Sequence, residues 1–329
     1  MDETSPLLTT RQAENADLPS PNLRPRHREL IPTPCGPIKP WSELTCLIKV
    51  YYCFTITSLL GVLVLTVVNI YGQLQKKDNY EEEFSVSLIL LVGMLFCLYY
   101  ITRGILQENP QELIAFVLSV LLVMVRSVVN FSVLLPEERK SLLLVRFVCL
   151  LCVGLFHVVC ATLLIQRPNM MAFRVGGALE SLQEQYFLLN FCFSMVSFDL
   201  QAQLSLCILI ITSGISVSYS HNIILTFGVV WACLTAAIGA IAVLKELKPL
   251  VWIFILLNLP ELAYFIYLLY TVIEEWGQGK SYSQEAAAIT GSCISVLIKG
   301  VLFWSLFRLY RSFGQGLRER MFASSQQRG

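Results

Sequence analysis

The chain has 329 residues, 55% hydrophobic and 14% charged, with a formal net charge of +1 and a mean hydropathy of +0.64. A soluble domain cannot hide that much apolar surface, so the composition points to a polytopic membrane protein. The near-neutral charge argues against a strongly basic nucleic-acid binder.

Residues 1–44 hold eight of the thirteen prolines among charges and small polar residues. Such a segment buries too little apolar surface to fold, and a disordered tail is expected over 1–44. It contains no apolar signal core, so the first membrane span is expected to serve as the targeting signal. Apolar runs long enough to cross hydrocarbon follow at 45–72, 85–105, 112–135, 142–165, 186–216, 222–244, 249–274 and 286–309. The predicted fold is an all-α helical membrane bundle of about eight spans over 45–310, followed by a basic tail over 311–329. The fifth run is overlong, and its division into two would give nine spans. The loops are short, and the two halves show no internal repeat by eye.

Lysine and arginine set the orientation. With both termini cytosolic, fifteen positive residues fall inside, including Arg103, Arg167, Arg174, Lys245 and Lys248. Five fall outside: Lys76, Lys77, Arg139, Lys140 and Lys280.

The fifth run carries polar residues where hydrocarbon is expected. At 100° per residue, Asn190, Ser194, Ser197, Gln201 and Ser205 form one stripe, while Asp199 and Gln203 lie nearly opposite. Polar groups on opposite faces avoid lipid only if protein or water surrounds the helix, so this helix is expected at the centre of the bundle. Arg126, Glu261 and Lys299 also fall in a broad middle zone. Charges there are costly and usually pair or line a wet cavity. Two bases and two acids predict one neutral network around the fifth helix, with Gln201, Gln203 and Asn258 as hydrogen-bonding partners. Arg146 lies nearer the outer end and is expected to extend to the interface.

The seventh run contains "NLPELAY", Asn258 to Tyr264. Pro260 cannot donate to the carbonyl of Leu256, and Glu261 lies three residues after Asn258. The stretch is similar to the Asn-Pro-x-x-Tyr element of rhodopsin-like receptors, but a leucine separates Asn258 from Pro260 and Tyr264 comes one residue late. With the wrong span count and a cytosolic N-terminus, that family is excluded.

Eleven cysteines are present, eight of them inside later apolar runs and none in an outside loop, which argues against a disulfide framework. Cys149, Cys152, His157 and Cys160 are expected to pack rather than hold a metal, because no second ligand pair occurs. Cys35 and Cys46 lie near the membrane, where cysteines can be acylated. The sequon Asn130-Phe-Ser132 sits within the end of a span, too near the membrane for use. With three histidines, no Walker or dinucleotide motif and no intramembrane protease pattern, neither an enzyme nor a cofactor is expected.

The first residues include "ETSPLL", Glu3 to Leu8. Glu3, Leu7 and Leu8 resemble the acidic dileucine sorting signal. The resemblance covers six residues and implies recognition by clathrin adaptor complexes and an endosomal or lysosomal address, with the plasma membrane as the alternative. The end "RLYRSFGQGLRERMF" mixes arginines with Leu309, Phe313, Leu317 and Phe322, a pattern suited to an anionic inner leaflet. As a whole the chain resembles multi-pass membrane families of unknown function. The expected function is an endolysosomal transporter or channel-like protein for a small solute or ion, in which buried carboxylates would permit proton coupling. The alternative is a non-transporting adaptor or regulatory protein acting through its tails and the loop at 166–185. Apart from adaptors and solute, the expected partner is the lipid bilayer.

Overall fold

The computed structural model describes residues 30, 31, 33–75, 81–133, 141–168, 170–177, 179–212, 219–274, 282–318 and 321. After a single 3-10 turn at Trp41–Glu43 come α1 (Cys46–Gln75), α2 (Glu81–Leu106), α3 (Pro110–Val133), α4 (Ser141–Ile165), the short α5 (Met170–Gly176), α6 (Glu180–Thr212), α7 (Tyr219–Leu244), α8 (Lys248–Glu274) and α9 (Tyr282–Ser312). Each expected apolar run lies within one long helix or overlaps it closely. A helix satisfies its own backbone polar groups, as hydrocarbon requires. Among the described residues, seven helices are long and apolar enough to cross a membrane. The remaining long helix, α8, is 27 residues with Pro260 inside it. The protein is an all-α polytopic membrane bundle. Large side chains such as Leu155, Leu163, Phe227 and Leu297 are more than half exposed. Together they would be a liability in water and are suited to a bilayer.

The helices form two four-helix units. In the first, α1 packs on α2, α2 on α3, α3 on α4, and α4 closes back on α1. In the second, α6, α7, α8 and α9 follow the same order, and α9 closes on α6. Each unit has its own apolar core. One is built around Tyr100, Ile101 and Phe116, the other around Tyr186, Phe254, Leu302 and Leu306. The units meet where α6 packs on α2 and α3.

The corresponding turns match in detail. Between α2 and α3, the amide of Asn109 donates to Gly104 O and that of Gln107 to Arg103 O. Between α7 and α8, the amide of Leu247 donates to Ala242 O and that of Lys245 to Ile241 O. These five-residue reaches close a helix end that passes through a left-handed residue. In both turns that residue is a glutamate: Glu108 has φ 47° and Glu246 has φ 51°. The absence of a visible repeat in the sequence is therefore corrected at the level of architecture. The residues that define such turns are backbone contacts, which side-chain identity barely records.

Three boundaries differ from expectation. The expected tail over 1–44 gives way to ordered chain before residue 45. Ile31 and Ile38 pair as a small bridge, and the amide of Lys39 donates to Leu106 O at 2.9 Å. Tertiary contacts with the end of α2 supply what this proline-rich stretch lacks locally. The loop at 166–185 contains α5 and the first turns of α6. The 311–329 tail is not a simple leaflet-facing segment: Phe313, Leu317 and Met321 are buried in the second core. They turn inward because Gly314 and Gly316, at φ 91° and 88°, reverse the chain. Met321 reaches Gly36, so both ends of the described chain lie at one end of the bundle. That is the result an even number of passes gives. Leu309 is also fully buried, whereas Phe322 lies outside the described residues.

Candidate functional site

The site is organised by α6. Asp199 and Gln203 are one turn apart and face α8 and α9. Asn258 and Glu261 come from α8, on either side of Pro260, and Lys299 comes from α9. The Lys299 Nζ donates to Asp199 Oδ2 at 2.9 Å, Glu261 Oε2 at 2.7 Å and Asn258 Oδ1 at 2.7 Å. An ammonium has three donors, and all three are used. Gln203 Nε2 ties the acids together, donating to Asp199 Oδ2 at 2.7 Å and Glu261 Oε2 at 2.9 Å. Lys299 is 1% exposed. When all three groups are ionised the cluster carries one positive and two negative charges. Asp199 Oδ1 and Glu261 Oε1 are buried and accept no hydrogen bond among the described residues.

Pro260 shapes one wall. Asn258 Nδ2 donates to Phe254 O at 2.8 Å, which fixes its amide and aims its oxygen at Lys299. Trp231 Nε1 donates to Leu257 O at 3.1 Å. These carbonyls flank that of Leu256, the one that Pro260 leaves without its helical donor.

The remaining predicted residues lie elsewhere. Gln201 is 200° round the helix from Asp199 and donates to Ser119 Oγ of α3 at 2.6 Å. Arg126 lines a cavity of about 630 Å³ between the two units, together with Gln201 and Arg146. The expected single network is thus divided by α6. Asp199, Gln203, Asn258, Glu261 and Lys299 form one cluster, and Arg126 and Gln201 stand on the opposite side. The base facing Asp199 is Lys299. Both polar faces of α6 are buried, because α2 and α3 cover one and α8 and α9 approach the other.

Arg146 corrects a second expectation. It is only 6% exposed, and its Nη1 donates to Ser87 Oγ at 3.1 Å. Asn69 Nδ2 donates to the same oxygen at 3.1 Å, so α1, α2 and α4 hold the guanidinium inside. A further buried pair joins Arg103, which the sequence places only among the inside positive charges, to Glu112. Arg103 Nη1 meets Glu112 Oε1 at 2.5 Å, and its Nε donates to Gln107 Oε1 at 2.9 Å. The guanidinium also lies 3.7 Å from the centre of the Phe193 ring. The available signal was a base in the last turn of α2 and an acid in the first turn of α3, across a three-residue turn.

His157 Nε2 lies 2.8 Å from Ser58 Oγ, within a ring of Tyr51, Phe54, Phe116 and Phe156. No group of three metal-binding side chains converges among the described residues. Glu3, Leu7 and Leu8 lie outside the described residues.

A family model described as a domain of unknown function, DUF7789, matches residues 35–166 and 176–308. The two matched stretches are almost equal in length and frame the two four-helix units. No curated protein and no solved structure matches the chain. With most of its length matched, helices and central charges included, the chain belongs to the DUF7789 family.

Proposed function

We propose that the protein is an endolysosomal transporter or channel-like protein for a small solute or ion, with the Lys299 cluster as its ion-coupling site. The observation that carries this reading is the sharing of one buried lysine by a buried and a largely buried carboxylate, each with an oxygen that accepts no hydrogen bond among the described residues. A proton or small cation arriving at either oxygen offsets the excess negative charge. Lys299 then redistributes between Asp199 and Glu261. These groups lie on α6, α8 and α9, so the exchange acts on the helices that hold the second unit together. The pairing of two similar four-helix units is an architecture that many secondary transporters share, although here the cluster lies within the second unit. The endosomal and lysosomal address rests on Glu3, Leu7 and Leu8, through which clathrin adaptors would recognise the tail.

The test uses a Leu7→Ala/Leu8→Ala background to bring the protein to the cell surface. Whole-cell current and proton uptake are then recorded while the bath is acidified. The background protein should give a response that Asp199→Asn abolishes at equal surface level. An undiminished response in Asp199→Asn would remove the cluster from the mechanism.

A second reading is a non-transporting adaptor or regulatory protein acting through its tails and residues 166–185. In its favour, every donor of Lys299 is used, as in a cluster that serves only architecture. It expects no flux from the surface-expressed protein under any ionic condition.

A further inference from the structure

The cavity between the two units is a separate feature from the Lys299 cluster, and its chemistry is different. Its walls come from α2, α3, α4, α6 and α9, and apolar side chains such as Ile89, Leu122, Leu206 and Ile294 dominate them. Two guanidiniums, Arg126 and Arg146, stand in the half of the bundle remote from the chain ends. Arg146 is almost fully buried and oriented by Ser87. Leu122 and Val125 line the cavity and are themselves 45% and 60% exposed. The wall therefore continues onto the lipid-facing surface of α3. Across from it, α9 packs mainly on α6 and α8.

We propose that this cavity binds a single-chain amphipathic carboxylate, a long-chain fatty acid, with its headgroup at Arg126 and Arg146 and its chain between α2, α3, α6 and α9. Guanidinium forks match carboxylate geometry, and they are most effective where water is excluded. The hydrocarbon walls favour an alkyl chain in proportion to the area covered. The volume fits a single chain. At roughly 30 Å³ per heavy atom, the share of a water molecule in its liquid, the cavity holds about twenty heavy atoms. That is room enough for a single fatty-acid chain. The proposal is independent of transport, because a regulatory protein would use the same site to sense a lipid.

The test is equilibrium binding of radiolabelled palmitate to the purified full-length protein in nanodiscs, with competitors. Saturable binding is expected, displaced by unlabelled palmitate but not by hexadecanol, which has the same chain and no charge. Arg146→Gln should weaken binding by about tenfold or more, and Arg146→Lys should restore part of it. Ala202→Phe, which adds bulk to the cavity wall and leaves both arginines in place, should abolish binding. Equal competition by hexadecanol would overturn recognition of the anion. Displacement by phosphatidic acid in preference to palmitate would overturn the single-chain assignment. Unchanged binding in both Ala202→Phe and Arg146→Gln would place the ligand elsewhere. The competition series needs only the wild-type protein, so a variant that fails to fold does not shield the proposal.

Discussion

Glu108 and Glu246 occupy the same position in equivalent turns, one in each unit, and each holds a segment that flanks the bundle, one before α1 and one after α9. Glu108 Oε1 pairs with Lys39 Nζ at 2.5 Å, ahead of α1. Glu246 Oε2 accepts a hydrogen bond from the amide of Gly314 at 3.1 Å, beyond α9. A left-handed backbone is unfavourable for a residue with a Cβ, by roughly 1–2 kcal/mol. The two clasps compensate for that cost and tie the segments at Lys39 and Gly314 to the same end of the bundle.

Glu246 therefore offers a separable test. Glu246→Gly relieves the backbone and forfeits one exposed hydrogen bond worth about 1 kcal/mol, so its melting temperature in detergent should stay near wild type. Glu246→Val keeps the strain, adds β-branching and loses the bond, and should cost about 2 kcal/mol or more. Equal melting of the two variants would show that the left-handed turn carries no strain.

Removal of Lys299 should be worse than removal of either acid. Lys299→Met leaves two buried carboxylates without a base, a loss on the order of 3–5 kcal/mol. Asp199→Asn leaves the Lys299–Glu261 pair intact and should fold. Size-exclusion profiles and thermal melts of the detergent-solubilised variants give the order. A Lys299→Met protein as stable as Asp199→Asn would contradict the cluster described above.

The Arg103–Glu112 pair predicts a similar asymmetry at the other charged centre. Glu112→Gln keeps a hydrogen-bond acceptor but leaves Arg103 without its counter-charge, and should lower stability by about 3 kcal/mol. The double variant Arg103→Met/Glu112→Leu removes both charges and should melt closer to wild type than Glu112→Gln does. Additive losses in the double variant would show that the two side chains are not coupled.

Gly239 tests the packing of α7 on α8. A Cβ at this position would lie 2.5 Å from Phe254 Cε2, and Phe254 is buried. Gly239→Ala should cost about 1–3 kcal/mol by forcing that ring aside. Phe254→Leu should also destabilise the protein, yet the double variant should recover part of the sum. Absence of coupling in the melts would mean that the helices separate freely.

In cells, the Leu7→Ala/Leu8→Ala variant should move a tagged protein from endosomes and lysosomes to the cell surface. Imaging beside wild type reads the outcome. Identical distributions would make the six-residue resemblance accidental and remove the support for an acidic-organelle role.

Much of the site was legible in outline. Asp199 and Gln203, opposite the stripe from Asn190 to Ser205, required a helix enclosed on both sides. Contacts of α6 with both units supply that enclosure. Depth along the spans grouped Arg126 with Asp199, Glu261 and Lys299. Depth alone does not tell which side of α6 a neighbouring helix occupies, and Arg126 stands in the cavity between the units rather than beside Lys299. Arg146 shows the same gap. Its distance from the end of α4 permits an extended side chain, whereas Ser87 of α2 holds it inside.

The sequence by itself determined the class, the helices and their approximate limits. Hydrocarbon demands internally satisfied backbone, and about 20 apolar residues are needed to cross it. It also identified the polar residues that had to be shielded from lipid. Only the tertiary structure decided the division into two four-helix units, the choice of Lys299 as the base for Asp199, and the guanidinium-lined cavity between the units. Those features depend on helix adjacency and rotation. Periodicity fixes which residues share a face, but the neighbour that face meets is set by packing of the whole bundle.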